Sequence, residues 1–271
     1  MNKIAVSKLS EYLYCKRKLY LREVLGLVPE LKREVVKGSI RHNVFDRVNK
    51  LDEEIVRSFT KFVPFSDVFM AYRSAYYKSF FSFVQASKED LLKVGIKPMD
   101  FFHEKWPAFI FEARNRANNV HSFMAKEKVF GAELWARLFP KYMTELRVES
   151  DFLKLKGVID RIEIFEDGAV PIELKTGKMP DEGVWPGHRV QLECYMLLIN
   201  ESLGKNVKEG YIEYLDSKER RKVVMNPFVR EEIVGLFNDV FAMLKSDKVP
   251  DKVKNENKCK SCALREKCFA L

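Results

Sequence analysis

The sequence lacks the features of a membrane, secreted or disordered protein. No uninterrupted apolar run approaches the roughly 18 residues of a membrane span, and the first fifteen residues have no signal-peptide core, so we expect a cytoplasmic protein. Five cysteines among 271 residues are too few for a disulfide scaffold. A composition of 46% hydrophobic and 32% charged residues excludes a mainly disordered chain.

Positive charge is concentrated at the two ends of the chain. The chain carries 48 basic and 39 acidic side chains, a net charge of +9. Residues 1–50 hold 12 basic and 5 acidic side chains, and residues 241–271 hold 8 and 4, so the remainder is nearly neutral. If the two ends meet, they would form a surface that binds a polyanion. Two solvated, lysine-rich helices would explain the same charges equally well.

Changes in the residue pattern along the sequence predict four segments. Residues 1–50 are helical by their apolar spacing, and residues 51–142 are a longer helical segment. Alternating and β-like runs predict strands and one helix over residues 143–225. Residues 226–271 combine a helix with a cysteine-rich tail.

Aromatic residues at spacings of three and four are concentrated in the 51–142 segment. This periodicity is typical of helices that share an aromatic core, and we favour that interpretation over a base-stacking platform. Pro64 and Pro107 are predicted to break these helices. Further along, Asn226 is the predicted N-cap of a helix and Pro227 its first residue.

Two acidic residues and a lysine are predicted to meet on one strand pair. A β-like run to Phe165, the turn residues 166–168 and a returning run to Lys175 predict a β-hairpin. Asp160 then faces either Lys175 or Glu173, depending on where the two-residue turn lies. Since side chains alternate along a strand, all three lie on one face in either register. We expect the opposite face of the returning strand to be apolar and buried.

These side chains suit a hard divalent cation. Carboxylates on neighbouring strands bind Mg²⁺ or Mn²⁺, and a lysine beside a metal-bound water could position that water or stabilise charge on a phosphate. The competing interpretation is an exposed cross-strand salt bridge of little energetic value. On the next predicted helix, Gln191 and Tyr195 are placed to face this set, whereas Cys194 lies on the apolar side as a buried hydrophobe.

The other four cysteines point to a second metal centre. Cys259, Cys262 and Cys268 form a C-x2-C-x5-C cluster in a lysine-rich segment, where core packing does not explain them. Cys15 is the cysteine that remains as a fourth ligand. Zinc usually takes two C-x2-C pairs, while an iron–sulfur cluster suits one distant cysteine and a triplet at least as well, and the spacing alone does not separate the metals. Either metal would join the two chain ends.

Together these residues resemble the RecB-like branch of the PD-(D/E)XK nuclease superfamily. Within it they are similar to the iron–sulfur exonucleases of CRISPR adaptation, the fourth Cas protein family. The matching motifs occur in the family's order: a YxxC-type cysteine at Cys15, G-x3-H ending at His42, G-x2-D ending at Asp160, E-x-K-T-G over residues 173–177, Q-x3-Y at Gln191 and Tyr195, and the C-terminal cysteine triplet.

The resemblance implies an α/β fold of the α+β type with a mixed sheet: a restriction-endonuclease-like core, a helical insertion, and an iron–sulfur subdomain formed by both chain ends. It implies that Lys175 assists water attack and that Gln191 and Tyr195 support the site and the DNA. The implied ligands of the catalytic Mn²⁺ or Mg²⁺ are His42, Asp160, Glu173 and the Leu174 carbonyl. The implied ligands of the cluster, [4Fe–4S] rather than [2Fe–2S], are Cys15, Cys259, Cys262 and Cys268.

The function implied by the resemblance is that of a hydrolase, a metal-dependent exonuclease that digests single-stranded DNA from an end in the 5′-to-3′ direction. Its place would be pre-spacer processing in CRISPR adaptation, with the CRISPR integrase complex as a partner and no membrane. The basic residues expected to follow the DNA backbone are Lys16, Arg17, Lys18 and Arg22. One alternative is a stand-alone RecB-like repair nuclease. The other is a DNA-binding module without catalysis, whose chain ends are joined by zinc or an iron–sulfur cluster.

Two departures from the family pattern stand out. Lys16 follows Cys15 where the family commonly has proline. The 51–142 segment is also longer than in compact members of the family.

Overall fold

A computed structural model describes residues 3–166, 168–175, 178–217 and 219–271. The predicted turn residue Asp167 and the Thr176-Gly177 end of the E-x-K-T-G motif lie outside these residues. The chain divides into two compact units. One, the sheet unit, combines Met1–Leu31 with Glu145–Leu271, and the other, the helical unit, is Lys32–Thr144.

The described secondary structure follows in chain order. The helices are α1 (Val6–Tyr14), α2 (Lys16–Glu23), α3 (Arg33–Arg57), α4 (Phe65–Ala86), α5 (Lys88–Lys93), α6 (Pro98–Glu127), α7 (Gly131–Arg137), α8 (Pro186–Leu203), α9 (Val229–Lys245), α10 (Glu256–Lys260) and α11 (Arg265–Phe269). The strands are β1 (Ile4–Ala5), β2 (Lys141–Ser150), β3 (Leu155–Phe165), β4 (Gly168–Lys175), β5 (Glu209–Tyr214) and β6 (Glu219–Val224).

The six described strands form one mixed sheet in the order β1-β3-β4-β5-β6, with β2 also pairing to β3. The β3–β4 and β5–β6 pairs are antiparallel, whereas β4 and β5 are parallel. A parallel pair needs a long crossover connection, and α8 provides it between β4 and β5. The predicted mixed sheet is therefore confirmed.

Helix α8 supplies much of the core of the sheet unit. Residues 190–199 of this helix are all buried, because α8 contacts β4 and β5 as well as α1 and α9. A helix covered on several sides needs no polar stripe. Cys194 is among these buried residues, as predicted, with none of its surface exposed. The helix therefore places its side chains directly against the sheet.

The helical unit has its own aromatic core, which confirms the favoured interpretation of its periodicity. Phe80 packs against Phe102 and Phe109, with ring centroids 4.7 and 4.5 Å apart. These two rings lie on either side of Pro107, and α6 runs through the proline without the predicted break. Packing of both flanks against α4 outweighs the backbone hydrogen bond that the proline cannot make.

Three further expectations are corrected. The helical unit begins at residue 32 rather than 51, because α3 is one continuous helix from Arg33 to Arg57. Helix α9 begins at Val229, and Asn226 instead accepts a hydrogen bond from the Phe228 amide at 2.8 Å, one turn earlier. Residues 32–144 hold 20 basic and 13 acidic side chains. The helical unit thus carries a net charge of +7, of which +4 comes from residues 32–50. Residues 1–31 and 241–271 together carry another +7, and residues 145–240 carry −5.

Among the described residues, no helix is both long and apolar enough to span a membrane.

Candidate functional site

The register of the β3–β4 hairpin decides between the two predicted arrangements. Arg161 pairs with Ile172, so one step further along the same register Asp160 stands opposite Glu173. The backbone amide of Leu174 donates a hydrogen bond to Oδ2 of Asp160 at 2.8 Å, which fixes the carboxylate at the end of the hairpin. The three predicted residues thus share one face of the sheet.

A hydrogen-bonded network joins this hairpin to α8. The Lys175 ammonium donates to Oε1 of Glu173 at 2.7 Å and to the Gln191 side-chain oxygen at 2.8 Å. The Gln191 amide nitrogen donates in turn to Oε1 of Glu173 at 2.6 Å and to the Tyr195 hydroxyl at 3.2 Å. Both ends of the Gln191 amide are therefore used, and Glu173, Lys175 and Tyr195 are held by a single side chain.

Burial argues against the interpretation of this set as an exposed salt bridge. Glu173 is only 3% exposed because α8 covers its face of the sheet. The expectation for the opposite face is wrong in part, since Val170 and Leu174 are only half-buried. That face carries ion pairs instead, including one between Glu163 and Arg220 at 3.0 Å. The network accordingly lies on the covered side of the sheet.

Gly157 explains why the G-x2-D motif begins with glycine. A Cβ at this position would lie 2.5 Å from a ring carbon of Tyr195. That distance is far inside van der Waals contact, so a side chain at residue 157 would displace the tyrosine. The glycine leaves room for Tyr195 to reach Gln191.

The aromatic and imidazole groups beside the network are neutral at pH 7. Burial, followed by the nearby charge of Glu173, raises the pKa of Tyr195. Burial, followed by the charge of Lys175, lowers the pKa of His188 to about 4. The His188 Nδ1 atom lies 3.2 Å from the Tyr214 hydroxyl. The charge of this region is therefore set by its carboxylates and Lys175.

Glu145 is not among the predicted site residues, yet it lies beside Asp160 in the structure. A carboxylate oxygen of each lies within 4.8 Å of the other. Glu145 has a φ of 52° in the left-handed region, which is uncommon for a non-glycine residue and occurs where local strain serves a site. A register analysis of β3 and β4 could not find it, because Glu145 lies on β2.

The other two predicted metal ligands, Leu174 and His42, are placed by the elements that carry them. Leu174 lies in β4 between Glu173 and Lys175, and its amide already holds Asp160. His42 lies within α3, in the helical unit.

The four predicted ligand cysteines line a single pocket in the sheet unit. Two of the sulfurs accept backbone hydrogen bonds: Cys15 from the Lys18 amide at 3.3 Å and Cys262 from the Leu264 amide at 3.4 Å. Burial raises the pKa of the Cys15 thiol, and the charges of Cys262 and Cys268 raise it further. The thiol of Cys15 thus lies close to two members of the C-terminal triplet.

The ends of the chain meet around this pocket. The Lys258 ammonium donates to the Tyr14 carbonyl at 3.1 Å, and the Glu30 amide donates to the Ala263 carbonyl at 3.2 Å. The Lys267 ammonium donates to the Val28 carbonyl at 3.0 Å. The N-terminal and C-terminal segments are therefore hydrogen-bonded to each other, as a shared metal centre would require.

A sequence profile described as the PD-(D/E)XK nuclease superfamily matches residues 3–269, nearly the whole chain. The chain belongs to this nuclease superfamily. The D and E-x-K of its name correspond to Asp160 and to Glu173-Leu174-Lys175, which the hairpin brings together.

Individual relatives narrow the resemblance to the exonucleases of CRISPR systems. A CRISPR-associated exonuclease Cas4/endonuclease Cas1 fusion of Leptospira interrogans is 29% identical over 54% of this chain and 29% of its own length. A CRISPR-associated exonuclease Cas4 of Rhodospirillum rubrum is 28% identical over 46% of this chain and 38% of its own. The chain thus matches only about a third of the length of these relatives.

The chain is also similar to a protein whose name does not refer to CRISPR. A DNA replication ATP-dependent helicase/nuclease JHS1 of Arabidopsis thaliana is 28% identical over 42% of this chain and 10% of its own length.

In the cysteine pocket, Arg17 has a different task from the one predicted. Its side chain is only 8% exposed, and Nε donates to the Cys268 sulfur at 3.2 Å. Its Nη1 and Nη2 donate to the carbonyls of Pro250 at 2.9 Å and of Cys268 at 3.3 Å. The guanidinium is committed to the cysteine pocket, so we no longer expect it to contact phosphates.

The other three predicted DNA-contacting residues lie at or near the surface. Lys18 and Arg22 both form ion pairs with Glu11, at 3.0 and 2.7 Å. Lys16 is exposed, with its ammonium 4.6 Å from the centre of the Tyr12 ring.

Proposed function

We propose that this protein is a divalent-metal-dependent DNA exonuclease that hydrolyses phosphodiester bonds at single-stranded ends in the 5′-to-3′ direction. The observation that carries the proposal is the set of Asp160, Glu173, Lys175 and Gln191 on one covered face of the sheet, with Glu173 and Gln191 buried and the other two half-buried. Membership of the nuclease superfamily supports the reaction class. The exonuclease relatives support attack from a strand end.

The donor set fits a hard divalent cation. Asp160, Glu173 and Glu145 offer carboxylate oxygens, which Mg²⁺ and Mn²⁺ prefer. The Leu174 carbonyl and His42 complete the proposed ligands on the strength of the motif match. A bound metal would polarise the phosphoryl oxygen and lower the pKa of a water.

The protein's own groups hold and orient the reactants in this proposal. The Lys175 ammonium supplies positive charge where negative charge develops on the phosphate. Gln191 holds both Lys175 and Glu173, so neither side chain can rotate away independently. Tyr195 stays protonated at neutral pH and anchors the Gln191 amide. Gln191 and Tyr195 are therefore positioning residues.

The cysteine pocket is proposed to hold an iron–sulfur cluster, [4Fe–4S], with a structural role. The pocket gathers four cysteines from both chain ends, and the N–H donors to Cys15, Cys262 and Cys268 suit the thiolates of such a cluster.

A single strand is proposed to pass the N-terminal helices on its way to the site. Lys16, Lys18 and Arg22 lie on α2, directly after the cluster ligand Cys15. Their charges would follow the phosphate backbone in a salt-dependent manner. Arg17 is left out of this track because it serves the cysteine pocket.

The biological setting we propose is pre-spacer processing in CRISPR adaptation, inside the cell. A relative fused to endonuclease Cas1 supports the CRISPR integrase complex as the partner. The similarity to a replication helicase/nuclease favours a second candidate, a stand-alone repair nuclease. Cleavage stimulated by an added Cas1 integrase would support the first setting over the second.

The deciding experiment is digestion of single-stranded DNA labelled at either end, with and without Mn²⁺ or Mg²⁺. We expect metal-dependent shortening from the 5′ end, and a loss of about 100-fold or more in rate for Glu173→Gln with DNA binding retained. The matched control is Glu163→Gln, a buried glutamate on the opposite face of the sheet. Undiminished cleavage by Glu173→Gln, or an equal loss in the control, would overturn the assignment.

A further inference from the structure

The helical unit carries a second set of aromatic residues at the edge of its core, where Phe69 and Trp106 are half-buried. We call this set the seam: Phe69, Arg73, Tyr77 and Phe81 on α4, with Trp106 and Arg114 on α6. The α4 members follow one another at intervals of four residues, which places them on one side of the helix. They span about 18 Å at 1.5 Å per residue.

Rings and guanidinium groups are in mutual contact along the seam. Tyr77 lies edge-on to Trp106, with ring centroids 5.4 Å apart, and stacks on Phe81 at 6.2 Å. The Arg73 guanidinium lies 5.9 Å from the Trp106 ring, and that of Arg114 lies 5.6 Å from the Phe69 ring. The seam thus combines aromatic surface with positive charge over its whole length.

The seam differs from the aromatic core in its access to solvent. Tyr76 and Phe80, one residue before Tyr77 and Phe81, are fully buried. By contrast, Tyr77 is 47% and Phe81 39% exposed. Large apolar rings that stay in contact with water within a row of arginines mark a binding surface more than a packing defect.

We propose that the seam binds single-stranded nucleic acid, with bases stacking on Tyr77, Phe81 and Trp106 and phosphates contacting Arg73 and Arg114. Aromatic rings interleaved with cations are the arrangement that binds single strands without reading their sequence. The charge of the helical unit, 20 basic against 13 acidic side chains, complements a polyanion. The expectation that the strand is DNA rests on the proposed function. The proposed base stacking and phosphate contacts do not depend on that function.

The test is fluorescence anisotropy with labelled dT15 and with an abasic strand of the same length. The full chain is used in the Glu173→Gln background, so that binding is measured without cleavage. Tyr77→Ala should weaken dT15 binding by roughly 5-fold to 100-fold, the effect of losing one stacked base, and leave abasic binding nearly unchanged. Arg73→Gln should weaken both and flatten the salt dependence.

Matched controls use residues of the same unit outside the seam. Phe111→Ala removes another exposed ring of α6, and Arg47→Gln removes an exposed charge of α3. Both should bind dT15 like the parent chain, with melting temperatures confirming that every variant is folded. A loss of equal size in the controls would overturn the seam as the site.

Other outcomes also decide the question. Parent-like dT15 binding by folded Tyr77→Ala and Arg73→Gln would overturn the proposal, and so would a Tyr77→Ala effect confined to self-association in sedimentation. If the parent nuclease cleaves while the seam variants bind normally, this proposal fails and the proposed function stands. If no chain cleaves but the variants lose binding as described, the proposed function fails and the seam stands.

Discussion

Each of the two units buries a cluster of charged side chains, and the two clusters are built differently. In the sheet unit, the Lys175 ammonium binds Glu173, and Asp160 lies opposite Glu173 on the neighbouring strand. In the helical unit, the Arg116 guanidinium binds Asp52 at 3.3 Å. Of the residues named, the first cluster has two carboxylates and one cation, and the second has one of each.

The surroundings of the two clusters reinforce this difference. Arg116 also donates to Asn49, Tyr72 donates to Asp52, and the Tyr142 ring lies 4.8 Å from the guanidinium. The Arg116 side chain is 5% exposed, whereas that of Lys175 is 20% exposed. Charge balance and access to solvent together separate a cluster that stabilises a core from one that can take up a ligand.

The largest effect should come from breaking one pair in each cluster. Arg116→Met leaves the Asp52 charge buried without its partner and should lower the free energy of unfolding by about 3–5 kcal/mol. Lys175→Met should change that free energy less, because the Lys175 side chain is 20% exposed against 5% for Arg116, so water screens the pair that it breaks. Nuclease activity should show the reverse order. Urea unfolding followed by circular dichroism, with cleavage assays on the same samples, measures both.

A double variant tests whether the loss of stability comes from the unpaired buried charge. Asp52→Leu combined with Arg116→Met removes both buried charges and should recover much of the lost stability. Equal destabilisation by Arg116→Met and Lys175→Met would contradict the distinction between the clusters.

A smaller effect is expected where the Glu173–Lys175 cluster depends on close packing. In Gly157→Ala the new methyl group would collide with Tyr195, so we expect a loss of about 1–3 kcal/mol in stability and reduced cleavage. Gly168→Ala, in the same hairpin, meets no atom within 4 Å and is the control. Melting temperatures and cleavage rates that match the control would show that Tyr195 is not held where the structure places it.

The smallest effect concerns pH. His188 has a pKa of about 4 in the folded protein against an ordinary value of 6.5, because it is buried near Lys175. The unfolded chain therefore binds one more proton between these values, so stability is full above pH 6.5 and falls as the pH decreases towards 4. His188→Gln should show a shallower loss of unfolding free energy between pH 7 and 4.5 than the parent. His103→Gln, at an exposed position, should keep the parental slope.

Much of the sheet unit was predictable because its signals are local. Alternation along β3 and β4 placed Asp160, Glu173 and Lys175 on one face before the register was known, and helical spacing placed Gln191 and Tyr195 together. Periodicity likewise predicted the aromatic core of the helical unit. These patterns depend on residues within a few positions of one another.

What the sequence did not reveal depends on contacts across long separations. Glu145 lies beside Asp160 through pairing between strands. Arg17 was assigned to DNA on its charge, because nothing near it in sequence shows that Cys268 and Pro250 accept its hydrogen bonds. Pro107 was assigned a helix break by its local chemistry, which packing against α4 overrides.

The pocket at the junction of the chain ends constrains the timing of its own assembly. Cys15 and Cys259 are 244 positions apart in the sequence. At about 5–20 residues per second, the first cysteine is synthesised roughly 12 to 50 s before the triplet. During that interval its thiol has no partner ligands and is open to oxidation or stray metals. If the pocket holds the proposed iron–sulfur cluster, iron delivery in the cell must follow translation of the C-terminal triplet, and overproduction that outpaces delivery should yield chains with an incomplete pocket.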